Sequence, residues 1–126
     1  MPTVLIVDDE QHIRLLIEQT LEELEDDGVV LLTASDGEEA LDVMANHRPE
    51  LVFLDVQMPK KNGFEVSTAI KADPGLAGTT VILLTANGQA VDREQGLAAG
   101  ADQYLTKPFD PDDLLRRARA ALGLDR

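Results

Sequence analysis

The sequence contains no cysteine, and this absence excludes disulfides and thiol chemistry. Basic residues are scarce, with 11 lysines and arginines against 24 aspartates and glutamates and a net charge of −13. A surface with this balance repels a phosphate backbone, so we expect no direct binding to nucleic acid. If the protein binds a metal, its ligands must come from carboxylates, two histidines and backbone groups.

Long apolar runs are also missing. The longest purely aliphatic stretches, at residues 29–32 and 81–84, are four residues each. We therefore expect no membrane span, and the N-terminus lacks the basic and then apolar pattern of a signal segment, so we expect a cytoplasmic protein. The 126 residues suffice for one hydrophobic core, and no linker or repeat divides them. We predict a single domain over residues 1–126.

Short aliphatic segments alternate with segments of helical periodicity. Strands are predicted at residues 3–7, 29–33, 51–54, 80–85 and 102–105, and helices at 11–24, 35–46, 62–73, 90–99 and 110–122. Ser35 and Glu38 have the spacing of a capping box, which predicts that Ser35 caps the second helix. The alternation predicts an α/β fold, a (βα)₅ doubly wound five-stranded parallel sheet. In such folds, ligands bind beyond the carboxyl ends of the strands.

Polar residues stand where four of these strands end. Asp8 and Asp9 follow the first strand, Asp55 follows the third, Thr85 ends the fourth and Lys107 follows the fifth. Each has an ordinary explanation when taken singly, as a helix cap, a strand residue or a solvated surface group. Their common position at one rim of the sheet is better explained by a shared site.

The chemistry of such a site is that of phosphoryl transfer. Carboxylates held close together repel each other unless a cation neutralises them, and oxygen donors favour Mg²⁺, with Mn²⁺ as a possible substitute. Asp55 would be the nucleophile that attacks phosphorus. Mg²⁺ and Lys107 would neutralise the oxygens of the transferring group, and Thr85 would donate a hydrogen bond to another of them.

The chain resembles the receiver domain of bacterial two-component response regulators, the group that includes the free-standing chemotaxis regulator. The motifs that carry the resemblance occur in order through almost the whole chain: VDDE at 7–10, DVQMP at 55–59, NG at 62–63, LTA at 84–86 and AGADQYLTKPF at 99–109. One Asp-Asp pair would be weak evidence, but this ordered set is highly specific. The resemblance implies a flavodoxin-like receiver fold.

The resemblance also implies roles for particular residues. Asp55 corresponds to the phosphorylated aspartate, and Lys107 would contact the phosphoryl group. Asp9 and Asp55 would ligate the metal directly and Asp8 through water, while the backbone carbonyl of Gln57 would complete the protein ligands. The peptide bond that follows Lys107 is commonly cis in this family.

Signalling is implied to run through a switch pair. Thr85 would move to bond the phosphate, and Tyr104, the only tyrosine in the sequence, would turn inward behind it. Gln57 and Asn87 would influence how fast the acyl phosphate hydrolyses. The implied donor is a sensor histidine kinase or a phosphotransfer protein, and the signal would pass to an output protein that the sequence does not identify. The only reactions expected are self-phosphorylation and hydrolysis of the acyl phosphate.

Two other classes share part of this pattern. Haloacid-dehalogenase-type phosphatases also use a Mg²⁺-bound aspartate, but they carry a second aspartate two residues later, where this chain has Gln57. A flavodoxin-like binding module would need a phosphate-cradling loop after the first strand, where this chain has Asp8, Asp9 and Glu10. The sequence leaves open whether the receiver stands alone or is excised from a longer protein.

Overall fold

A computed structural model of the chain describes residues 2–86 and 90–124, with the backbone alone at 90–93. Five parallel strands form one sheet in the order β2-β1-β3-β4-β5. They are β1 Thr3–Val7, β2 Val30–Ala34, β3 Leu51–Asp55, β4 Thr80–Thr85 and β5 Gln103–Thr106. The helices between and after them are α1 Gln11–Leu21, α2 Gly37–His47, α3 Gly63–Ala72, α4 Ala90–Ala98 and α5 Pro111–Ala121, with a 3₁₀ helix at Glu22–Asp27. The predicted flavodoxin-like (βα)₅ fold is confirmed.

Alternate residues of the central strands enter two separate cores. Val4 and Ile6 of β1 pack with the buried faces of α1 and α5. Leu5 and Val7, which point to the opposite face of the sheet, pack with α2 and α3. Helices therefore cover the sheet on both sides, which explains why β3 is buried at every position.

The start of α2 differs from the prediction by one residue. Asp36, not Ser35, caps the helix, and its carboxylate accepts a hydrogen bond of 2.8 Å from the Glu39 N–H. The Glu39 carboxylate reaches back to the N–H of Ser35 at 2.7 Å. The predicted pairing of Ser35 with Glu38 is therefore wrong. The side chains of Ser35 and Asp36 could each cap this helix. Because Asp36 is the cap, Gly37 is the first helical residue.

The strand register places the ends of β1, β3, β4 and β5 side by side. Val7 pairs with Leu54 of β3, and Asp55 pairs with Leu84 of β4. Thr85 in turn pairs with Thr106 of β5. Because the strands are parallel, the segments that follow them all emerge at this edge. Among the described residues, no helix combines the length and the apolar character required to cross a membrane.

Candidate active site at the carboxyl edge of the sheet

Three charged side chains from three different strand ends meet at this edge. The Lys107 Nζ donates hydrogen bonds to Asp8 Oδ2 at 2.9 Å and to Asp55 Oδ1 at 3.3 Å. Asp8 is fully buried and Asp55 is 5% exposed. The two carboxylates are thus held near each other in a poorly solvated position, with one ammonium between them.

This environment changes the acidity of Asp55. Burial raises the pKa of Asp55, the negative charge of Asp8 raises it further, and Lys107 and the N–H of Gln57 only partly oppose them, so that the pKa is about 7. The Gln57 N–H donates to Asp55 Oδ1 at 3.3 Å. A carboxyl group in a cleft with a strongly shifted pKa is typical of functional sites, and here the causes of the shift are burial first and the negative charge of Asp8 second.

Lys107 keeps its proton in this setting. Burial alone lowers the pKa of Lys107, but the hydrogen bond with Asp8 and the charges of Asp55 and Asp8 outweigh it, so the pKa is raised. The backbone also positions this residue, because the Lys107 N–H donates to the Thr85 carbonyl at 2.7 Å. The peptide bond between Lys107 and Pro108 is cis.

A cluster of acids at the end of β1 offers oxygen ligands. Carboxylate oxygens of Asp8, Asp9 and Glu10 lie within 4.8 Å of one another. The Glu10 N–H donates to Asp8 Oδ1 at 3.0 Å, and Arg14 Nη1 donates to the Asp8 carbonyl at 2.6 Å. Sequence reasoning did not assign Glu10 or Arg14 to the site. The position of Glu10 directly after two predicted ligands was the available signal, whereas nothing in the sequence indicated Arg14.

An open cleft of about 730 Å³ lies above these residues. Of the residues assigned to the site from the sequence, Asp9, Asp55, Gln57 and Lys107 are among those that line it. Further lining residues, to which the sequence analysis gave no role in the site, are Glu10, Val56, Met58, Asn62, Phe64, Ala86 and Gln95. Asp55 can therefore be reached from solvent by a group of moderate size, although the residue itself is largely buried.

The two residues predicted to form a switch lie on neighbouring strands. Thr85 is the last residue of β4 and is 3% exposed. Tyr104 lies in β5, pairs in register with Leu83 and is half-buried against the α2 and α3 core. Tyr104 also borders two surface clefts that it shares with Arg117. Asn87, predicted to affect hydrolysis, lies outside the described residues.

Comparisons with known proteins agree on one family. The profile of the response regulator receiver domain matches residues 4–119. The probable transcriptional regulator ycf27 of Guillardia theta is 45% identical over 119 residues, which cover 94% of this chain and 44% of that protein. The chain spans about half the length of the curated relatives that it matches.

Solved structures give the same result. The chemotaxis response regulator CheY4 of Vibrio cholerae superposes with a TM-score of 0.85 at 35% identity, covering 96% of this chain and 98% of CheY4. The BeF₃-activated receiver domain of DrrB from Thermotoga maritima superposes with a TM-score of 0.86 at 33% identity, covering 98% of each chain.

Proposed function

This chain belongs to the response regulator receiver domain family, and on that premise we propose that it is a switch phosphorylated on Asp55. The donor is a histidine kinase or a phosphotransfer protein, which presents a phosphohistidine to the cleft. The observation that carries the proposal is the contact of Lys107 with both Asp8 and Asp55 at the base of that cleft. The Lys107 ammonium group is already held beside the carboxylate of Asp55. Asp55 is largely buried, but it lines the cleft, where solvent and ligands can reach it.

The residues at this edge fit a hard divalent cation. The available donors are carboxylate and carbonyl oxygens, and the single ammonium of Lys107 faces two carboxylates, those of Asp8 and Asp55. Asp8, Asp9, Asp55 and the carbonyl of Gln57 would hold Mg²⁺, for which Mn²⁺ can substitute. When bound, the metal supplies positive charge that neutralises phosphoryl oxygens and favours the ionised form of Asp55.

The protein residues account for the remaining steps. A carboxylate oxygen of Asp55 attacks phosphorus as the bond from phosphorus to the histidine nitrogen breaks, and that nitrogen keeps the electron pair. Lys107 neutralises one oxygen of the transferring group, and the Thr85 hydroxyl donates a hydrogen bond to another. Hydrolysis of the resulting acyl phosphate resets the switch, and we propose no reaction on any other substrate.

The output is proposed to be a contact with another protein. Thr85 and Tyr104 would carry the change to the surface formed by α4, β5 and α5. The matched half of ycf27 and of related transcriptional regulators corresponds to this chain, and with a net charge of −13 we propose no nucleic-acid contact for these residues.

The test is direct phosphorylation. With Mg²⁺ and acetyl phosphate, the intact mass of the protein should increase by one phosphoryl group, and hydroxylamine should remove it, as expected for an acyl phosphate. Asp55→Asn should not be labelled, because an amide is not a nucleophile for this reaction. Asp42→Asn, which changes an exposed residue of α2, serves as the control and should be labelled like the parent. Full labelling of Asp55→Asn would refute the assignment.

A further inference from the structure

The loop between β3 and α3, residues 56–62, carries the backbone of Gln57 and lies outside the strands and helices. Two hydrogen bonds of 2.9 Å close this loop on itself, from the Gly63 N–H to the Val56 carbonyl and from the Lys61 N–H to the Pro59 carbonyl. These bonds determine the shape of the loop. They do not determine where its outer part, residues 59–62, lies relative to the sheet.

The outer part of the loop packs directly against the first turn of α2. A Cβ atom built on Gly37 would lie 2.6 Å from the Cβ of Lys61 and 3.0 Å from its carbonyl carbon. Real Cβ atoms do not approach other atoms this closely. Gly37 is buried as the first residue of a helix and does not have a left-handed backbone conformation. The neighbouring loop, and not the local backbone, therefore requires a glycine here.

An ion pair and a left-handed residue lie beside this contact. Lys60 Nζ lies 3.6 Å from Asp36 Oδ2, although a pair this exposed contributes little energy. Lys60 itself has a φ of 69°, a left-handed conformation that is uncommon for a residue other than glycine. Surrounding contacts hold this part of the loop in a conformation that its sequence does not favour.

The inner side of the loop is packed just as closely. A Cβ atom on Gly63 would lie 2.9 Å from the Cα of Val56, next to Asp55. The loop is therefore held between the end of β3 on one side and the start of α2 on the other, with a glycine at each contact. Displacement of the outer contact at Lys61 must be accommodated by the segment that contains Gln57.

We propose that Gly37 is a positioning residue for the phosphorylation site, because its contact with Lys61 places the loop that carries Gln57. Gly37 lies in α2 and does not line the cleft, so it acts through Lys61 and the loop. The role in phosphoryl transfer depends on the function proposed above, whereas the role in placing the loop does not. Small displacements of positioning groups lower rates strongly, with about 1 Å costing up to roughly 10²-fold.

Gly37→Ala tests the contact, with Gly78→Ala as the matched control. Gly78 is exposed, has no atom within 4 Å of a built Cβ, and does not have a left-handed backbone. In Gly37→Ala we expect the backbone amide signals of residues 57–63 to shift and the rate of labelling by acetyl phosphate to fall roughly 10-fold. The unfolding midpoint should not fall in proportion, because alanine favours a helix more than glycine does. Gly78→Ala should match the parent in its loop amide signals and its labelling rate.

A second pair of variants approaches the contact from the other side and introduces no clash. Lys61→Ala removes the charge but keeps the Cβ that packs on Gly37, whereas Lys61→Gly removes the Cβ as well. We expect Lys61→Ala to be labelled at close to the parent rate and Lys61→Gly to be labelled several-fold more slowly. A role in stability alone would change the unfolding midpoint of Lys61→Gly and leave the rate per folded molecule unchanged.

The outcomes separate this proposal from the proposed function. A parent protein that is not labelled would refute phosphorylation on Asp55, and the loop amide signals of Gly37→Ala would still decide whether Gly37 places the loop. Parental amide signals in Gly37→Ala would overturn the proposal. Shifted signals with a parental labelling rate would overturn it as well, because the loop would then have moved without consequence for the reaction.

Discussion

Lys107 bridges two buried acids, since its Nζ lies 2.9 Å from Asp8 Oδ2 and 3.3 Å from Asp55 Oδ1. One positive charge therefore faces two carboxylates, and Asp9 and Glu10 add further negative charge at the mouth of the cleft. This imbalance of charge is the physical basis of the first three predictions below. From it we expect the site to respond to added divalent cations and to pH.

Lys107→Met should destabilise the metal-free protein and increase its response to Mg²⁺. Removing one partner of a buried pair leaves an uncompensated charge, and for this partly buried lysine we expect a loss of about 3 kcal/mol in the free energy of unfolding at neutral pH. Mg²⁺ should recover part of this loss by placing positive charge between the same carboxylates. Urea unfolding in EDTA and in millimolar Mg²⁺ measures both effects.

Lys71→Met is the control for that experiment. Lys71 pairs with Asp102 at 2.9 Å, and its side chain is 20% exposed, against 16% for Lys107. Asp102 lies just before β5, at the opposite edge of the sheet. Lys71→Met should lose stability without any additional response to Mg²⁺. Equal responses to Mg²⁺ in the two variants would show that Lys107 and the metal do not share the carboxylates.

Mg²⁺ should raise the melting temperature of the parent, because a ligand that binds only the folded state stabilises it by mass action, by about 2.7 kcal/mol at 100 times its Kd. Asp9→Ala should remove most of this response and should be at least as stable as the parent in EDTA. Glu10→Gln should keep most of the response, since Asp55, and not Glu10, is a proposed ligand. Thermal unfolding across a Mg²⁺ titration measures the stabilisation in each variant. If Glu10→Gln lost most of the stabilisation by Mg²⁺, as Asp9→Ala is expected to, the metal would instead lie among Asp8, Asp9 and Glu10.

The metal-free protein should become less stable as the pH rises through the window set by Asp55. Its pKa is raised from 3.8 to about 7 by burial and by Asp8, against the opposing charge of Lys107. Between these values the folded state holds a proton that the unfolded state has released, so this group's contribution to stability falls as pH rises through the window. Urea unfolding in EDTA across this range should show a slope that Asp55→Asn lacks and that Asp42→Asn retains. Identical slopes in the parent and Asp55→Asn would contradict the raised pKa.

Beryllofluoride, a mimic of the phosphoryl group, should change the backbone amide signals across residues 90–122 much more in the parent than in Thr85→Ala. The reason is that the Thr85 hydroxyl is proposed to bind the mimic, which changes the position available to Tyr104 and so biases a two-state element. Nuclear magnetic resonance spectra with and without the mimic provide the measurement. Equal changes in both proteins would disprove the coupling of Thr85 to Tyr104 and leave Asp55 as the acceptor unaffected.

The sequence alone was sufficient to predict the fold, and it also gave the expectation that polar strand-end residues would meet at one edge of the sheet. Uninterrupted apolar strands such as that at residues 51–54, separated by segments of helical periodicity, specified a sheet covered on both faces, as the two cores confirm. Asp8, Asp55 and Lys107 could be expected to meet because parallel strands with helical connections present all their carboxyl ends at one edge. Their contact therefore follows from the fold once their positions at strand ends are known.

Only the tertiary structure determined the details that depend on how separate elements pack. The choice of Asp36 over Ser35 as a cap cannot be read from the local sequence, because the side chains of both residues are competent to cap a helix. The bond from Arg14 to the Asp8 carbonyl likewise requires the actual path of the chain into α1. Periodicity and residue type determine which segments form helices and strands and which residues follow each strand, because these features depend on neighbours in the sequence. Distances between side chains and loops depend on contacts between segments far apart in the sequence, and these exist only in the folded chain.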